Sequence, residues 1–168
     1  MSIPLLLCID PGTVRTGLCI LDPEAGRGGE IVRVWRPSDV TRDTIRDALH
    51  AASVGGLTVA LERASAQGRT RPEVIETAHL CGWIEGQCDT LGLPIHMLRR
   101  HEVKSALDVR GGDAAVSARV AEIMADTASL AAAKGSRNRP GPCYGLVGDA
   151  WQAAAVGLAV AANLRRSS

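Results

Sequence analysis

The order of apolar and polar positions predicts three strands at the start of the chain. Residues 5–9 form an unbroken apolar run that ends in Asp10 and turns through Pro11 and Gly12. A second apolar run begins at Gly17, and residues 30–35 alternate after a turn-rich segment, which is typical of a third strand. Because a strand without polar alternation needs cover on both faces, we expect the first strand at the centre of a mixed sheet.

Helices and strands are predicted to alternate in the rest of the chain. An amphipathic helix over residues 39–53 precedes a second buried strand, residues 57–62, which also ends in an acid, Glu62. Gly82 and Gly86 leave a smooth strip on the next helix, where another helix or the sheet could approach closely. That helix is predicted to run from a capping box at 70–73 to about residue 91, and a buried strand over 93–98 follows it. Three more helices are predicted, over residues 100–107, from a cap at Asp113 to Leu130, and from Asp149 to about Leu164.

This order of elements is that of the ribonuclease H-like fold. We therefore predict an α/β protein with a mixed five-stranded sheet, in which three antiparallel strands are followed by parallel strands, and with helices on both faces. With 168 residues, the chain is long enough to bury one core, and it contains no internal repeat or linker. A single domain over residues 1–168 is expected.

The composition is that of a soluble protein. Hydrophobic residues make up 46% and charged residues 22% of the chain, and no apolar run approaches the roughly 20 residues that span a bilayer. We therefore expect no membrane partner. The chain start has no basic region before its apolar run, so we expect a cytoplasmic protein. Five cysteines without a CxxC pair predict buried structural thiols.

A net charge of +1 conceals a preference for arginine. Only Lys104 and Lys134 of the 19 basic residues are lysines. The planar guanidinium suits phosphate recognition, although a GC-rich genome produces the same usage. Aromatic residues make up 2% of the chain, so stacking on bases is not expected to be a general mode of binding.

Three acids are the candidates for chemistry. Asp10 and Glu62 end buried strands, and carboxylates on adjacent strands, about 4.8 Å apart, can share a divalent cation. Asp149 is the last acid of the chain and starts the final helix. Each acid also has a structural alternative, as a turn residue, an ion-pair partner of Arg63 or Arg69, or a helix cap. Together they predict a metal cluster for in-line phosphodiester hydrolysis, with two Mg²⁺ ions about 4 Å apart.

Several short motifs resemble those of the RuvC family of Holliday junction resolvases. They follow the family order over nearly the whole chain: Cys8-Ile9-Asp10-Pro11-Gly12-Thr13, Thr16-Gly17, Leu61-Glu62, Glu102-Val103-Lys104 and Asp149-Ala150. The resemblance implies a crossover junction endodeoxyribonuclease of DNA recombination and repair that acts on four-way DNA as a homodimer. It also implies that Asp10, Glu62 and Asp149 bind Mg²⁺, for which Mn²⁺ would substitute, and that Lys104 lies near the scissile phosphate.

The sequence departs from the family pattern in three respects. The family has two acidic or histidine positions three residues apart near its C-terminus, whereas Leu146 and Gln152 flank Asp149 here, so the fourth ligand is Gln152 or is missing. A second basic residue would fall near Ala115, with Arg119 as the nearest substitute. The junction-wedging aromatic of some members is Ser65 here. Such divergence is more typical of a phage-type or otherwise divergent resolvase. The resemblance thus implies association with the nucleoid or, if the protein is phage-encoded, a place in the host cytoplasm.

Basic loops near the acids are predicted to contact DNA. The residues concerned are Arg69, Arg71, Lys134, Arg137 and Arg139, and contacts of this kind to backbone phosphates would supply affinity without sequence readout. Simple solvation of these loops is the alternative. Two other functions stay open, an RNA-processing nuclease of the same superfamily and a junction-binding module without catalysis. A branch-migration helicase as partner also stays open.

Overall fold

The apolar N-terminal strand is the centre of the sheet, as predicted. The computed structural model describes residues 2–64 and 71–167. In it β1 (Leu6–Asp10) pairs antiparallel with β2 (Gly17–Asp22), which pairs antiparallel with β3 (Glu30–Val34). On its other side β1 pairs parallel with β4 (Thr58–Arg63), which pairs parallel with β5 (Ile95–Arg99). The strand order is β3-β2-β1-β4-β5, which confirms the predicted mixed five-stranded sheet.

Helices cover both faces of this sheet. Successive strand residues point to opposite faces, so Leu7 and Ile9 of β1 pack with α1 (Arg42–Gly55) and α2 (Pro72–Leu91), which follow a 3-10 turn at Pro37–Asp39. Leu6 and Cys8 pack on the other side with α3 (Arg100–Ala106), α4 (Asp113–Ala125) and α6 (Ala150–Ser167). All four side chains of β1 are fully buried, which explains its unbroken apolar sequence.

The last helix lies directly on the central strand. α6 is buried over twelve consecutive residues, from Ala150 to Ala161. A Cβ atom at Gly157 would come within 2.3 Å of the Cys8 Sγ atom, so a larger residue there would force the helix away from β1. The small side chains of α6 therefore fix its position on the sheet, and with it the position of the acid that precedes it.

Three predicted elements differ in detail. The strand over residues 93–98 was expected to be buried, but β5 is an edge strand with partly exposed residues. The helix predicted from Asp113 to Leu130 ends at Ala125, because Asp126 adopts a left-handed conformation with φ 56°, and α5 (Leu130–Lys134) follows separately. The basic loop after Lys134 contains a short hairpin of β6 (Gly135–Ser136) and β7 (Arg139–Pro140).

Two predicted helix starts also differ. Asp113 was expected to cap α4, but Gly112 holds the cap position. The Asp113 carboxylate instead accepts a hydrogen bond from a residue of the site described below. The capping box before α2 is replaced by Arg71 at the cap, with no side-chain hydrogen bond to the helix. Gly82 and Gly86 of α2 face open space, so nothing among the described residues uses the predicted close approach.

The cysteine prediction is confirmed, since all five are free and buried. Of the helices in residues 2–64 and 71–167, none combines the length and hydropathy of a transmembrane segment.

Candidate active site at the carboxyl edge of the sheet

Asp10 and Glu62 lie on the same face of the sheet at the ends of neighbouring parallel strands. Asp10 shares the face of Leu6 and Cys8 on β1, and Glu62 shares the face of Ala60 on β4; all three of these apolar residues belong to the core beneath α6. Parallel strands end at one edge, so the two carboxylates stand side by side under the start of the last helix. This is the juxtaposition that the two strand patterns predict.

A close backbone contact fixes Asp149 at the same edge of the sheet. Gly17 is the register partner of Asp10, and a Cβ atom at Gly17 would lie 2.1 Å from the carbonyl oxygen of Asp149. Only a glycine leaves room for the start of α6 at this point. The Asp149 carbonyl accepts hydrogen bonds from the amides of Gln152 and Ala153, but its side chain caps no amide in the described part of the chain. The helix-cap alternative for this carboxylate is therefore not what the structure shows.

A guanidinium group lies among these acids. Arg100 follows directly after β5, the parallel neighbour of β4, and so emerges at the same edge. Its Nη1 atom donates to the Glu62 Oε2 atom at 3.0 Å, and its Nη2 atom donates to the Gln152 Oε1 atom at 2.7 Å and to the Asp113 carboxylate. Arg100 thus bridges β4, α4 and α6, and its side chain is only 23% exposed.

The electrostatics of the cluster are dominated by its carboxylates. Burial and the charges of Glu62, Asp149 and Asp113 together raise the pKa of Asp10 to about 8, against the opposing charge of Arg100. Burial also raises the pKa of Glu62, against the opposing effects of Arg100 and Lys104. Burial lowers the pKa of Arg100, but the neighbouring carboxylates reverse this, so the net direction is upward. One guanidinium therefore does not offset the burial and mutual repulsion of these carboxylates, which together disfavour the ionised form of Asp10.

The donor chemistry fits a hard divalent cation. Carboxylate oxygens are the ligands that Mg²⁺ and Mn²⁺ prefer, and such an ion would offset the repulsion by Glu62, Asp149 and Asp113 that helps to raise the pKa of Asp10. In the observed arrangement, however, no three His, Cys, Asp or Glu side chains of residues 2–64 and 71–167 are grouped closely enough to hold an ion together. The three predicted ligands thus meet at one edge without forming a closed set of ligands, and Arg100 occupies part of that edge.

The other residues singled out from the sequence have distinct surroundings. Lys104 is one helical turn after Arg100, and its charge lowers the pKa of Glu62, so this lysine faces the cluster. Leu146 is fully buried in the core. Gln152 faces the cluster, but its oxygen accepts from Arg100 while its Nε2 atom donates to the Asp113 carbonyl and the Ser117 hydroxyl, both at 3.2 Å. Arg119 donates to the Leu107 carbonyl at 2.9 Å and pairs with Glu122, so it holds α3 to α4 instead.

The predicted DNA-contacting residues divide into two regions. Arg71 is exposed at the start of α2, on the segment that leaves the end of β4, whereas Arg69 and the wedge position Ser65 lie outside the described residues. Arg137 and Arg139 are exposed in the β6–β7 hairpin, and Lys134 immediately precedes it. The chain leaves this hairpin at Pro142, whose carbonyl accepts from the Ile31 amide near the start of β3. That is the opposite end of the sheet from Asp10, so the hairpin does not emerge at the acids.

The turn between β1 and β2 also borders a cavity of about 320 Å³ on the other face of the sheet. The cavity lies between this turn and the starts of α1 and α2, and Arg15, Arg42, Glu76 and His79 line it. None of the clustered acids contributes to its wall. The cavity is therefore separate from the acid cluster, although both flank the same turn.

Comparison with known proteins supports the fold. No protein-family model matches the chain, and no curated protein sequence is significantly similar to it. Two solved structures of Thermus thermophilus RuvC are similar over nearly their full length. One, in complex with a Holliday junction substrate, has a TM-score of 0.63 and 18% identity, covering 98% of this chain and 96% of that chain. The other has a TM-score of 0.58 and 19% identity, covering 97% and 96%. The chain therefore has the RuvC-type, ribonuclease H-like fold.

Sequence reasoning missed Arg100 and Asp113. Arg100 carried a partial signal, because it directly follows the third parallel strand, as Asp10 and Glu62 lie at the ends of the first two, and parallel strand ends meet at one edge. Asp113 carried none, since it reaches Arg100 only through the packing of α4 against α6. Its position at the start of a helix suggested a cap instead.

Proposed function

We propose that this protein is a divalent-metal-dependent endonuclease that cleaves four-way or otherwise branched DNA. The observation that carries the proposal is the cluster of Asp10, Glu62 and Asp149, held at one sheet edge by a RuvC-type fold with a surplus of negative charge. The fold is shared with a protein whose solved structure contains a Holliday junction substrate. At 18–19% identity the fold is common to the two proteins, and the substrate is inferred.

The three acids and Lys104 would have separate roles in phosphodiester hydrolysis. Asp10, Glu62 and Asp149 would hold Mg²⁺ or Mn²⁺ ions, which supply an activated water and charge neutralisation for in-line displacement when bound. A bound cation would favour the ionised forms of Asp10 and Glu62, because an adjacent positive charge opposes the effect of burial on their pKa. Lys104, on the side of α3 that faces Glu62, would offset charge that develops on the phosphate oxygens.

Exposed arginines would position the DNA backbone. Among the described residues, the side chains of Arg71, Lys134, Arg137 and Arg139 form no ion pair, so their charge is available to phosphates. Arg71 would act closest to the acids. The hairpin residues would act further away, where a second arm of a branched substrate could pass.

A homodimer through α2 would supply two active sites for paired cuts. The outward face of this helix repeats small and apolar residues, including Ile75, Ala78, Gly82 and Gly86, and Ile75 is 46% exposed. A Cβ atom at either glycine would meet nothing, which leaves room for a second copy. A Gly82→Arg variant should therefore be monomeric by analytical ultracentrifugation, while the wild-type protein sediments as a dimer.

The decisive experiment compares substrates and a matched variant. A synthetic four-way junction, a duplex of the same sequence and a structured RNA are incubated with the protein in Mg²⁺ or Mn²⁺. We expect symmetrically paired nicks in the junction alone and none with Asp10→Asn. Cleavage of the RNA instead would favour an RNA-processing nuclease. Junction binding without cleavage in either metal would favour a binding module and refute the proposed enzyme.

A further inference from the structure

The Arg100 side chain places a positive charge among the acids of the site. Its guanidinium contacts Glu62 from β4, Asp113 from α4 and Gln152 from α6, and it is the charge that most strongly opposes the raised pKa of Glu62. Glu62 is itself only 14% exposed, so its carboxylate depends on this partner. Removing the counter-ion of a buried carboxylate strongly destabilises the folded protein.

The same contacts limit what the acid edge can bind. The Glu62 Oε2 atom and the Gln152 Oε1 atom both accept hydrogen bonds from Arg100. An oxygen that points at a guanidinium presents the same lone pairs to that group that a metal ion would use. The described residues accordingly contain no ready group of three ligands, although four carboxylates act on this edge.

We propose that Arg100 is a resident counter-ion of the acid cluster, which a divalent cation must displace from Glu62 and Gln152 in order to bind. This inference rests on the metal site of the proposed function and assigns a role to a residue that does not bind the metal. Metal binding is then an exchange of one cation for another. Arg100 holds the acids together in the metal-free protein, and it weakens metal binding by competition.

A matched set of variants separates competition from simple charge repulsion. Arg100→Ala removes both the charge and the hydrogen bonds, and Arg100→Lys keeps the charge but cannot bridge three acceptors as a fork. Lys104→Ala is the control, because it removes a positive charge near Glu62 for which no hydrogen bond to the acids is present. Mg²⁺ binding to each full-length protein is measured by isothermal titration calorimetry without DNA.

Competition predicts a specific ranking of affinities. We expect Arg100→Ala to bind Mg²⁺ about tenfold or more tighter than the wild-type protein and Arg100→Lys to lie between them, while Lys104→Ala changes the affinity less than about threefold. In EDTA, Arg100→Ala should melt below the wild-type protein, and saturating Mg²⁺ should remove that difference. The Arg100 Nε–H resonance, identified by its absence in Arg100→Lys, should shift at saturating Mg²⁺.

Three results would overturn the inference. These are equal affinities of the wild-type protein and both Arg100 variants, an equal gain in Lys104→Ala, or an Arg100 resonance that Mg²⁺ leaves unmoved. Each of the three leaves the proposed nuclease intact if the wild-type protein still binds Mg²⁺ and cleaves the junction. Failure of all four proteins to bind Mg²⁺ or Mn²⁺ would instead remove the metal-dependent function together with the inference.

Discussion

Replacing Asp10 by asparagine should stabilise the metal-free protein at pH 8. Burial, together with Glu62, Asp149 and Asp113, raises the pKa of Asp10 from 3.8 to about 8. Between these two values the folded protein keeps a proton on Asp10 that the unfolded chain has released. Rising pH through this window therefore favours the unfolded chain, and the free energy of unfolding falls from about pH 4 to about pH 8. Asparagine has nearly the same shape and carries no charge, so it removes this dependence.

The size of the effect follows from the same shift. A change of this size corresponds to a ceiling of about 6 kcal/mol for a single independent carboxyl group. Glu62 and Arg100 respond to the charge of Asp10, and a site with an effective dielectric constant near 20 screens it, so we expect about 2–3 kcal/mol between pH 4 and pH 8. The gain of Asp10→Asn over the wild-type protein should grow across this range.

Urea unfolding in EDTA, followed by circular dichroism at several pH values, measures this difference. Asp47→Asn is the control, since Asp47 lies on the exposed face of α1 and forms no ion pair among the described residues. It should leave the slope of stability against pH unchanged. Equal pH dependence of Asp10→Asn and the wild-type protein would show that Asp10 is not the buried, charge-crowded acid described here. With saturating Mg²⁺ the wild-type protein should regain stability, whereas Asp10→Asn should gain little.

Three further predictions test the geometry of the site. Gly17→Ala should cost about 3 kcal/mol or more in urea unfolding, because its Cβ would meet the Asp149 carbonyl at 2.1 Å, whereas Gly86→Ala, in open space on α2, should be neutral or slightly stabilising. Lys104→Gln should lower the single-turnover rate of junction cleavage about 100-fold with less than about a threefold change in junction affinity, and a loss of affinity alone would contradict its role at the phosphate. Arg137→Ala combined with Arg139→Ala should weaken junction binding and reduce its salt dependence by about two phosphate contacts, unlike Arg46→Ala, whose side chain already pairs with Asp43.

The sheet and its two strand-end acids could be predicted because their signals are local. An unbroken apolar run predicts a strand that is covered on both faces, and an acid at the end of such a strand indicates a functional role. Residues 5–10 and 57–62 show both features within their own sequence. Asp149 followed because it is the last acid of the chain and starts the final helix. The break between α4 and α5 could not be found in this way, since the apolar spacing continues through Leu130 and only the left-handed backbone at Asp126 ends the helix.

Arg100 and Asp113 lay beyond local reasoning for a different reason. Which side chain neutralises a buried acid depends on which elements pack beside it, and here the partners are separated from Arg100 by 38, 13 and 52 residues along the chain. The sequence shows only two successive arginines before a short helix and an acid after two glycines. Each of these has an ordinary local explanation, and neither points to the other.

Gln152 and Arg100 form one hydrogen-bonded unit in the site. Gln152 accepts from Arg100 with its oxygen and donates to the Asp113 carbonyl and the Ser117 hydroxyl with its nitrogen, so both ends of its amide are used. An acid at this position could still accept from Arg100, but it could not donate to the Asp113 carbonyl, and the two oxygens would repel each other. It would also add a further negative charge beside Asp10, whose pKa is already raised to about 8. The amide at position 152 therefore suits a site in which the Arg100 guanidinium lies beside the acids and α4 packs against α6.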